Sequence, residues 1–193
     1  MTDSKRNISS PEGNAQLTDD ELISRCLENH PDAYRVLVER YWSMVYSVVR
    51  RITRSHDDAV DVTQEAFVRA YEHLSGFEKD SKFSTWLLRV ATNYALDQQR
   101  RQRARQRLQV HVPVTGYSPA ADAPAIAKET ESRLAEILQT LTHHQRLCLV
   151  LKVVHGMSTS EVAGILGCSE GTVRVHLHQA RKSLRDKWDG WRS

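Results

Sequence analysis

The sequence has few cysteines and no long apolar run, and each absence excludes a class of protein. Its three cysteines, Cys26, Cys148 and Cys168, are isolated and odd in number. This excludes a disulfide framework and the paired spacing of a zinc site, and it fits reduced thiols in a cytosol. No stretch approaches the roughly 20 apolar residues of a membrane span, and no secretion signal begins the chain. We therefore expect a soluble, intracellular protein.

Catalytic and cofactor motifs are also lacking. We find no glycine loop that would cradle a phosphate, no nucleophile with a plausible base beside it and no cluster with metal-ligand spacing. The sequence therefore predicts no catalytic activity, no cofactor, no metal and no small-molecule substrate. One enzyme alternative is a metal site that uses the adjacent His143 and His144, although adjacent histidines in a capping sequence are more often surface residues. Net charge is only +3, so any preference for nucleic acid depends on how the charges are arranged.

The apolar spacing predicts an all-α protein of two small helical domains joined by a flexible linker. Residues 1–17 are polar and predict a disordered lead-in, and residues 18–107 hold four helices. Residues 108–127 contain three of the five prolines and predict the linker. Residues 128–193 hold four more helices. No segment alternates strongly enough to predict a strand, and no repeat occurs at a fixed period.

Capping residues predict where the helices begin. Three pairs have the spacing of a capping box: Thr18 with Glu21, Thr142 with Gln145, and Ser158 with Glu161. Single N-caps are predicted at Ser55, Ser84 and Ser169.

The segment from Ser158 to Arg185 has the pattern of a DNA-reading helix-turn-helix. Ala163 lets a second helix cross closely, and Gly167 ends the first helix where a positive φ is needed. The second helix buries Val173, Leu177, Ala180 and Leu184. Its opposite face is predicted to point outward, read base edges and neutralise phosphates through Thr172, Arg174, His176, His178, Gln179, Arg181 and Lys182. The alternative is a small helical hairpin with a solvated basic face.

An acidic ridge is predicted on the third helix, on the side away from its apolar stripe. Its residues are Asp58, Asp61, Gln64, Glu65 and Glu72. From charge alone, an ordinary solvated helix face and a docking face for a basic partner both stay open.

The fourth helix has the opposite charge. It carries Arg89, Arg100, Arg101, Arg103, Arg105 and Arg107 against the single Asp97. The same region holds Asn93 and four aromatic residues, Phe77, Phe83, Trp86 and Tyr94. Aromatic rings beside arginines hold unpaired bases by stacking, at about 1–3 kcal/mol per base. The alternative is that Trp86 and Tyr94 belong to the core.

A family resemblance rests on two strings, DAVDVTQEAFVRAYEHLSGFEKDSKFSTWLLRVATNYALDQQRR and LTHHQRLCLVLKVVHGMSTSEVAGILGCSEGTVRVHLHQARKSLR. In this order they resemble the bacterial extracytoplasmic-function (ECF) sigma factors, group 4 of the sigma-70 family, which have only a sigma-2 and a sigma-4 domain. The resemblance covers nearly the whole chain after residue 17. It implies a subunit that binds core RNA polymerase through the beta and beta-prime subunits and directs promoter-specific initiation of a stress or envelope-response regulon. It also implies an anti-sigma factor, often membrane-anchored, that would hold this cytoplasmic bacterial protein at the inner membrane.

The resemblance also implies roles for individual residues. Core polymerase would contact Asp58, Asp61, Gln64 and Glu65. Minus-ten DNA, with a base flipped from the non-template single strand, would contact Phe77, Lys82, Phe83, Arg89, Asn93, Arg100 and Arg101. Duplex minus-thirty-five DNA would contact Thr172, Arg174, His178, Gln179, Arg181 and Lys182. Val175, His176 and His178 depart from the common pattern, so promoter identity cannot be copied from a relative, and these histidines would add pH dependence.

Two further function classes stay open. A dimeric operator-binding regulator would share the helix-turn-helix but would not need the acidic ridge or the aromatic, arginine-rich helix. A scaffold that does not bind DNA, such as an anti-sigma factor or an adaptor, is the other.

Overall fold

The computed structural model describes residues 16–53, 55–78, 80–108, 138 and 140–192. Every regular element within these ranges is helical, which confirms the all-α prediction. The α-helices are α1 (Asp19–Leu27), α2 (Pro31–Val49), α3 (His56–Glu72), α4 (Phe83–Leu108), α5 (His143–Leu149), α6 (Thr159–Leu166) and α7 (Glu170–Arg192). A 3₁₀ turn, Leu74–Gly76, follows α3, and a π-helical turn, Val150–Val154, follows α5. Most of the predicted lead-in, the linker after Leu108 and most of the helix predicted near residue 128 lie outside the described residues.

The predicted caps account for most of the helix starts. All three capping boxes form, each with a side-chain oxygen accepting the N3 backbone N–H and the N3 side chain accepting the N–H of the cap. Ser55 and Ser169 accept backbone N–H groups at 3.0 and 3.1 Å. The Ser84 cap was wrong, because α4 already begins at Phe83 and Ser84 lies in its first turn. The Lys82 carbonyl accepts the backbone N–H of Trp86 at 3.2 Å, which closes the first turn one residue earlier than a Ser84 cap would allow.

Helices α1 to α4 pack around one apolar core. Leu22 of α1, Leu37 and Val45 of α2, and Leu87 and Leu88 of α4 are fully buried. On α3 the small residues Ala59, Ala66 and Ala70 are buried in this core, so α2 and α4 can approach α3 closely. The face of α3 that carries the acidic ridge is therefore left free for another role.

Helices α5 to α7 form the second helical group, in which α6 and α7 are the two helices of the helix-turn-helix. Gly167 ends α6 with φ 63°, as predicted. Val173, Leu177 and Ala180 of α7 are buried against α5 and α6, whereas Leu184 is only half-buried. The exposed side of α7 is thereby fixed relative to the rest of the domain.

The two helical groups also contact each other directly, which the sequence did not predict. Helix α4 packs along α6, and the buried residues of both groups form one continuous cluster. The Lys82 Nζ atom lies 2.9 Å from Glu161 Oε1. Ser47 Oγ and His155 Nε2 are hydrogen-bonded at 2.9 Å. The structure is thus a closed arrangement of the two groups.

Candidate protein and nucleic-acid interfaces

The acidic ridge lies on the accessible side of α3. Asp61 and Gln64 are exposed, Asp58 and Glu65 are half-buried, and Glu72 is exposed at the end of the helix. Glu65 Oε1 pairs with Arg69 Nε at 2.9 Å. Since none of these side chains contributes to the apolar core, they are free to contact a partner without a cost in packing.

The ridge also forms one wall of a cleft between α3 and α4. Asp58, Asp61 and Glu65 line it from α3, and Arg101 and Arg105 line it from α4. The cleft has a volume of about 390 Å³. It therefore presents carboxylates and guanidinium groups side by side, which suits a partner surface that carries both charges.

Arg101 lies in this cleft and not with the other residues predicted to contact minus-ten DNA. Successive helix residues are about 100° apart, so Arg101 points to a different side of α4 from its neighbour Arg100. Arg100 instead shares a face with Arg89 and Asn93, at spacings of four and seven residues.

The face of α4 that carries Arg89, Asn93 and Arg100 is exposed. Asp97 lies between them in sequence and pairs with Arg100 at 3.1 Å. Arg89 and Asn93 lie one turn apart, so a guanidinium group and an amide are available together. This pairing suits a nucleotide, because the first contacts phosphate and the second can hydrogen-bond a base edge.

The two predicted phenylalanines lie in the core of the first group. Phe77 and Phe83 are 9% and 3% exposed, and their rings meet edge to face at 5.6 Å. Trp86 contacts both rings and is half-buried, as is Tyr94, whose ring is covered by Arg69 at 4.4 Å. The phenylalanines therefore shape the loop before α4, whereas Trp86 keeps part of its ring accessible.

Lys82, also predicted to contact minus-ten DNA, is engaged with the helix-turn-helix. Its partner Glu161 is the N3 residue of the α6 capping box. The hydrogen bond from Lys82 and those from Ser158 lower the pKa of Glu161 to about 2. Lys82 is mostly exposed and Glu161 mostly covered, so the pair anchors α6 beside the start of α4.

The residues of α7 predicted to read minus-thirty-five DNA are all exposed: Thr172, Arg174, His178, Gln179, Arg181 and Lys182. Arg174 pairs with Glu170 at 2.9 Å, one turn earlier. His176 is an exception among the side chains predicted to face outward, because its ring packs on His144 of α5 at 5.8 Å. Sequence reasoning missed Gln145, which donates from Nε2 to Oε1 of Gln179 at 3.0 Å.

His143 and His144 contact side chains of α4 and α7, respectively. Within the described ranges, no three His, Cys, Asp or Glu side chains come together as metal ligands would. His143 Nε2 faces Gln99 and Arg103 of α4, at 3.0 and 2.9 Å. No helix in the described part of the chain is both long and apolar enough to cross a membrane.

Comparison with known proteins identifies the two helical groups. The family model for sigma-70 region 2 matches residues 37–105, and that for sigma-70 region 4 matches residues 131–184. The ECF RNA polymerase sigma factor SigW of Bacillus subtilis is 31% identical, over 84% of this chain and 92% of its own. The ECF RNA polymerase sigma-E factor of Escherichia coli K12 is 33% identical, over 89% of this chain and 95% of its own.

Solved structures show the same fold. CnrH, solved in complex with the cytosolic domain of CnrY, is 26% identical with a TM-score of 0.67, over 89% of this chain and 97% of that one. The sigma factor RpoE of Bartonella quintana, solved with the anti-sigma factor NepR, has a TM-score of 0.68 at 21% identity, over 79% of this chain and 94% of that one.

The chain therefore belongs to the sigma-70 family of RNA polymerase sigma factors. Within that family it is an extracytoplasmic-function factor of group 4, with region 2 in its first helical group and region 4 in its second. It binds core RNA polymerase and promoter DNA and directs promoter-specific initiation of transcription. The family is one of non-catalytic initiation subunits.

Proposed function

We propose a division of labour among three surfaces of this sigma factor. The acidic ridge, with Asp58, Asp61, Gln64 and Glu65, docks on the beta and beta-prime subunits of core polymerase. The face of α4 with Arg89 and Asn93 holds the melted non-template strand of the minus-ten element. The exposed side of α7 reads the minus-thirty-five duplex.

The observation that carries this proposal is the different charge of two exposed helix faces, with carboxylates on the ridge of α3 and the guanidinium groups of Arg89 and Arg100 on the outer face of α4. The ridge on α3 repels phosphates and attracts a basic protein surface, whereas the exposed face of α4 does the reverse. Arg101, which lies in the cleft beside the ridge, contacts the polymerase and not the DNA. Phe77 and Phe83 support the loop before α4 from the core, and Trp86 provides the stacking ring.

A charge reversal on the ridge tests polymerase docking. The double variant Asp61→Lys, Glu65→Lys should no longer co-purify with core polymerase, while its thermal unfolding stays close to that of the wild type. Asp186→Lys is the matched control, since this exposed carboxylate lies on α7, away from the ridge. Normal co-purification of the double variant would contradict the proposal.

We also propose that the protein works in the bacterial cytoplasm, has no catalytic activity of its own and is restrained by an anti-sigma factor. Support comes from CnrH, which was solved with the cytosolic domain of CnrY. A membrane-anchored partner would hold the sigma factor at the inner membrane and release it for a stress or envelope-response regulon. Sequencing of transcript starts after overexpression tests the regulon, and start sites unrelated to stress or envelope genes would contradict it.

A further inference from the structure

Two glutamine side chains on neighbouring helices form a hydrogen-bonded chain that ends at the exposed face of α7. The Thr142 backbone N–H donates to Gln145 Oε1 at 2.9 Å. Gln145 Nε2 then donates to Gln179 Oε1 at 3.0 Å. Gln145 therefore links the capping box of α5 to a residue of the proposed recognition helix.

Chemistry fixes the orientation of both amides. A backbone N–H can only donate, so the end of Gln145 that faces Thr142 must be its carbonyl oxygen. The other end is then the amino group, which can only donate, so Gln179 must turn its own carbonyl oxygen toward it. The carbonyl end of Gln179 is thus held toward α5, and its amino end projects away from α5.

The orientation of the Gln179 amide matters for DNA reading because Gln179 lies on the exposed face of α7. Thr172, Val175, Gln179 and Lys182 follow one another at spacings of three, four and three and are all exposed, so they form one line along α7. A free glutamine reads adenine with both ends of its amide, accepting from N6 and donating to N7. A glutamine that presents its amino end first favours a base that offers an acceptor in the major groove.

We infer that Gln145 is a positioning residue for promoter specificity: it makes Gln179 a hydrogen-bond donor that disfavours cytosine as the contacted base at one position of the minus-thirty-five element. Guanine O6 and N7, thymine O4 and adenine N7 are acceptors in the major groove, whereas cytosine offers only the donor N4. This inference rests on the proposed reading of minus-thirty-five DNA by α7.

The variant that isolates the effect is Gln145→Glu. A glutamate at N3 still accepts the N–H of Thr142, so the capping box is kept. Its second oxygen can only accept, so Gln179 must turn its amino group toward α5 and its carbonyl oxygen toward the groove. The discrimination against cytosine should then be lost, and adenine or cytosine, which offer the donors N6 and N4, should be preferred at the affected position.

The experiment measures initiation by core polymerase with the full-length chain on a promoter library randomised over the minus-thirty-five element. The wild type should disfavour cytosine at one position by roughly 3- to 10-fold relative to the other bases, as expected for one neutral hydrogen bond. Gln179→Ala should lose the preference at that position alone, and Gln145→Glu should reverse it. Ser160→Glu adds the same charge to an exposed position of α6 and should leave the base preference unchanged.

Three results would overturn the inference. They are a wild-type preference for cytosine at the position that depends on Gln179, no change in any base preference on Gln179→Ala, and an unchanged preference in a folded Gln145→Glu variant. If that variant does not fold, the wild type and Gln179→Ala still decide the donor role. Failure of the proposed function has a different signature, because the wild type would then initiate no more specifically than core polymerase alone.

Discussion

His143 Nε2 lies 2.9 Å from a guanidinium nitrogen of Arg103, across the contact between the two helical groups. A guanidinium group can only donate. Gln99 Nε2 also approaches the same atom at 3.0 Å, and its amino end is fixed because it donates to the Ile52 carbonyl at 2.8 Å. His143 Nε2 therefore accepts from both, and the ring is neutral in the closed arrangement.

Acid should weaken the contact between the groups. Burial lowers the pKa of His143, and so do Arg103 and Arg146, while the Arg51 backbone opposes them. A histidine whose pKa is lowered in the closed form takes up its proton more readily once the groups separate, so closure is favoured above about pH 6.5 and lost as the pH falls. Burial also lowers the pKa of His155, which contacts Ser47 across the two groups. His155 therefore adds to the same pH dependence.

Small-angle X-ray scattering can measure this opening. The radius of gyration of the wild type should increase between about pH 7.5 and pH 5.5, the range that spans the ordinary histidine pKa. His143→Gln keeps an acceptor but does not titrate, so its increase should be smaller. His178→Gln, at an exposed position of α7, serves as the control. An equal increase in wild type and His143→Gln would contradict the assignment.

Glu161 has two roles that substitutions can separate. Glu161→Gln keeps the capping box but removes the charge that faces Lys82. The free energy of unfolding measured in urea should therefore change by less than about 1 kcal/mol, because Lys82 is mostly exposed to solvent. Glu161→Ala should cost about 1 kcal/mol more, because the reciprocal cap is also lost. Since the pKa of Glu161 is lowered to about 2, its contribution is present above about pH 4.5 and is lost as the pH falls toward 2. Equal stability of the two variants would contradict the capping role.

Substitutions of Gly167 test why the turn between α6 and α7 needs a glycine. A Cβ atom at this position would meet no other atom within 4 Å, so the cost of a side chain comes from its φ of 63° alone. Gly167→Ala should lower the free energy of unfolding by about 1–2 kcal/mol, and Gly167→Asn by less, because asparagine tolerates the left-handed region. Denaturation with urea measures both, and an alanine variant as stable as the wild type would contradict the explanation.

The capping boxes and the buried stripe of α7 could be predicted because they depend on residues three or four apart. The tertiary contacts at the proposed sites join residues that are far apart in the sequence, so local periodicity cannot predict them. Gln145 and Gln179 are 34 residues apart, and Ser47 and His155 are 108 apart. The family resemblance implied a DNA contact for Arg101, but local periodicity could not show that this residue lines the cleft beside the ridge. The burial of Phe77 and Phe83 depends in the same way on tertiary packing.

Arg174 gives a test of base reading on α7. If its guanidinium group leaves Glu170 and reads guanine, Arg174→Ala should lose about 1–3 kcal/mol of binding at one base position only. Binding of the holoenzyme to single-base promoter variants measures this loss. A uniform loss across all sequences would instead make Arg174 a phosphate contact.

The division of labour between α4 and α7 is tested most directly by following strand opening and duplex binding separately in one holoenzyme. The double variant Arg89→Ala, Asn93→Ala should keep the footprint over the minus-thirty-five duplex but lose permanganate reactivity of thymines in the minus-ten element. If the variant opens the minus-ten element as the wild type does, or loses both signals together, the assignment of melted strand to α4 and of intact duplex to α7 is contradicted.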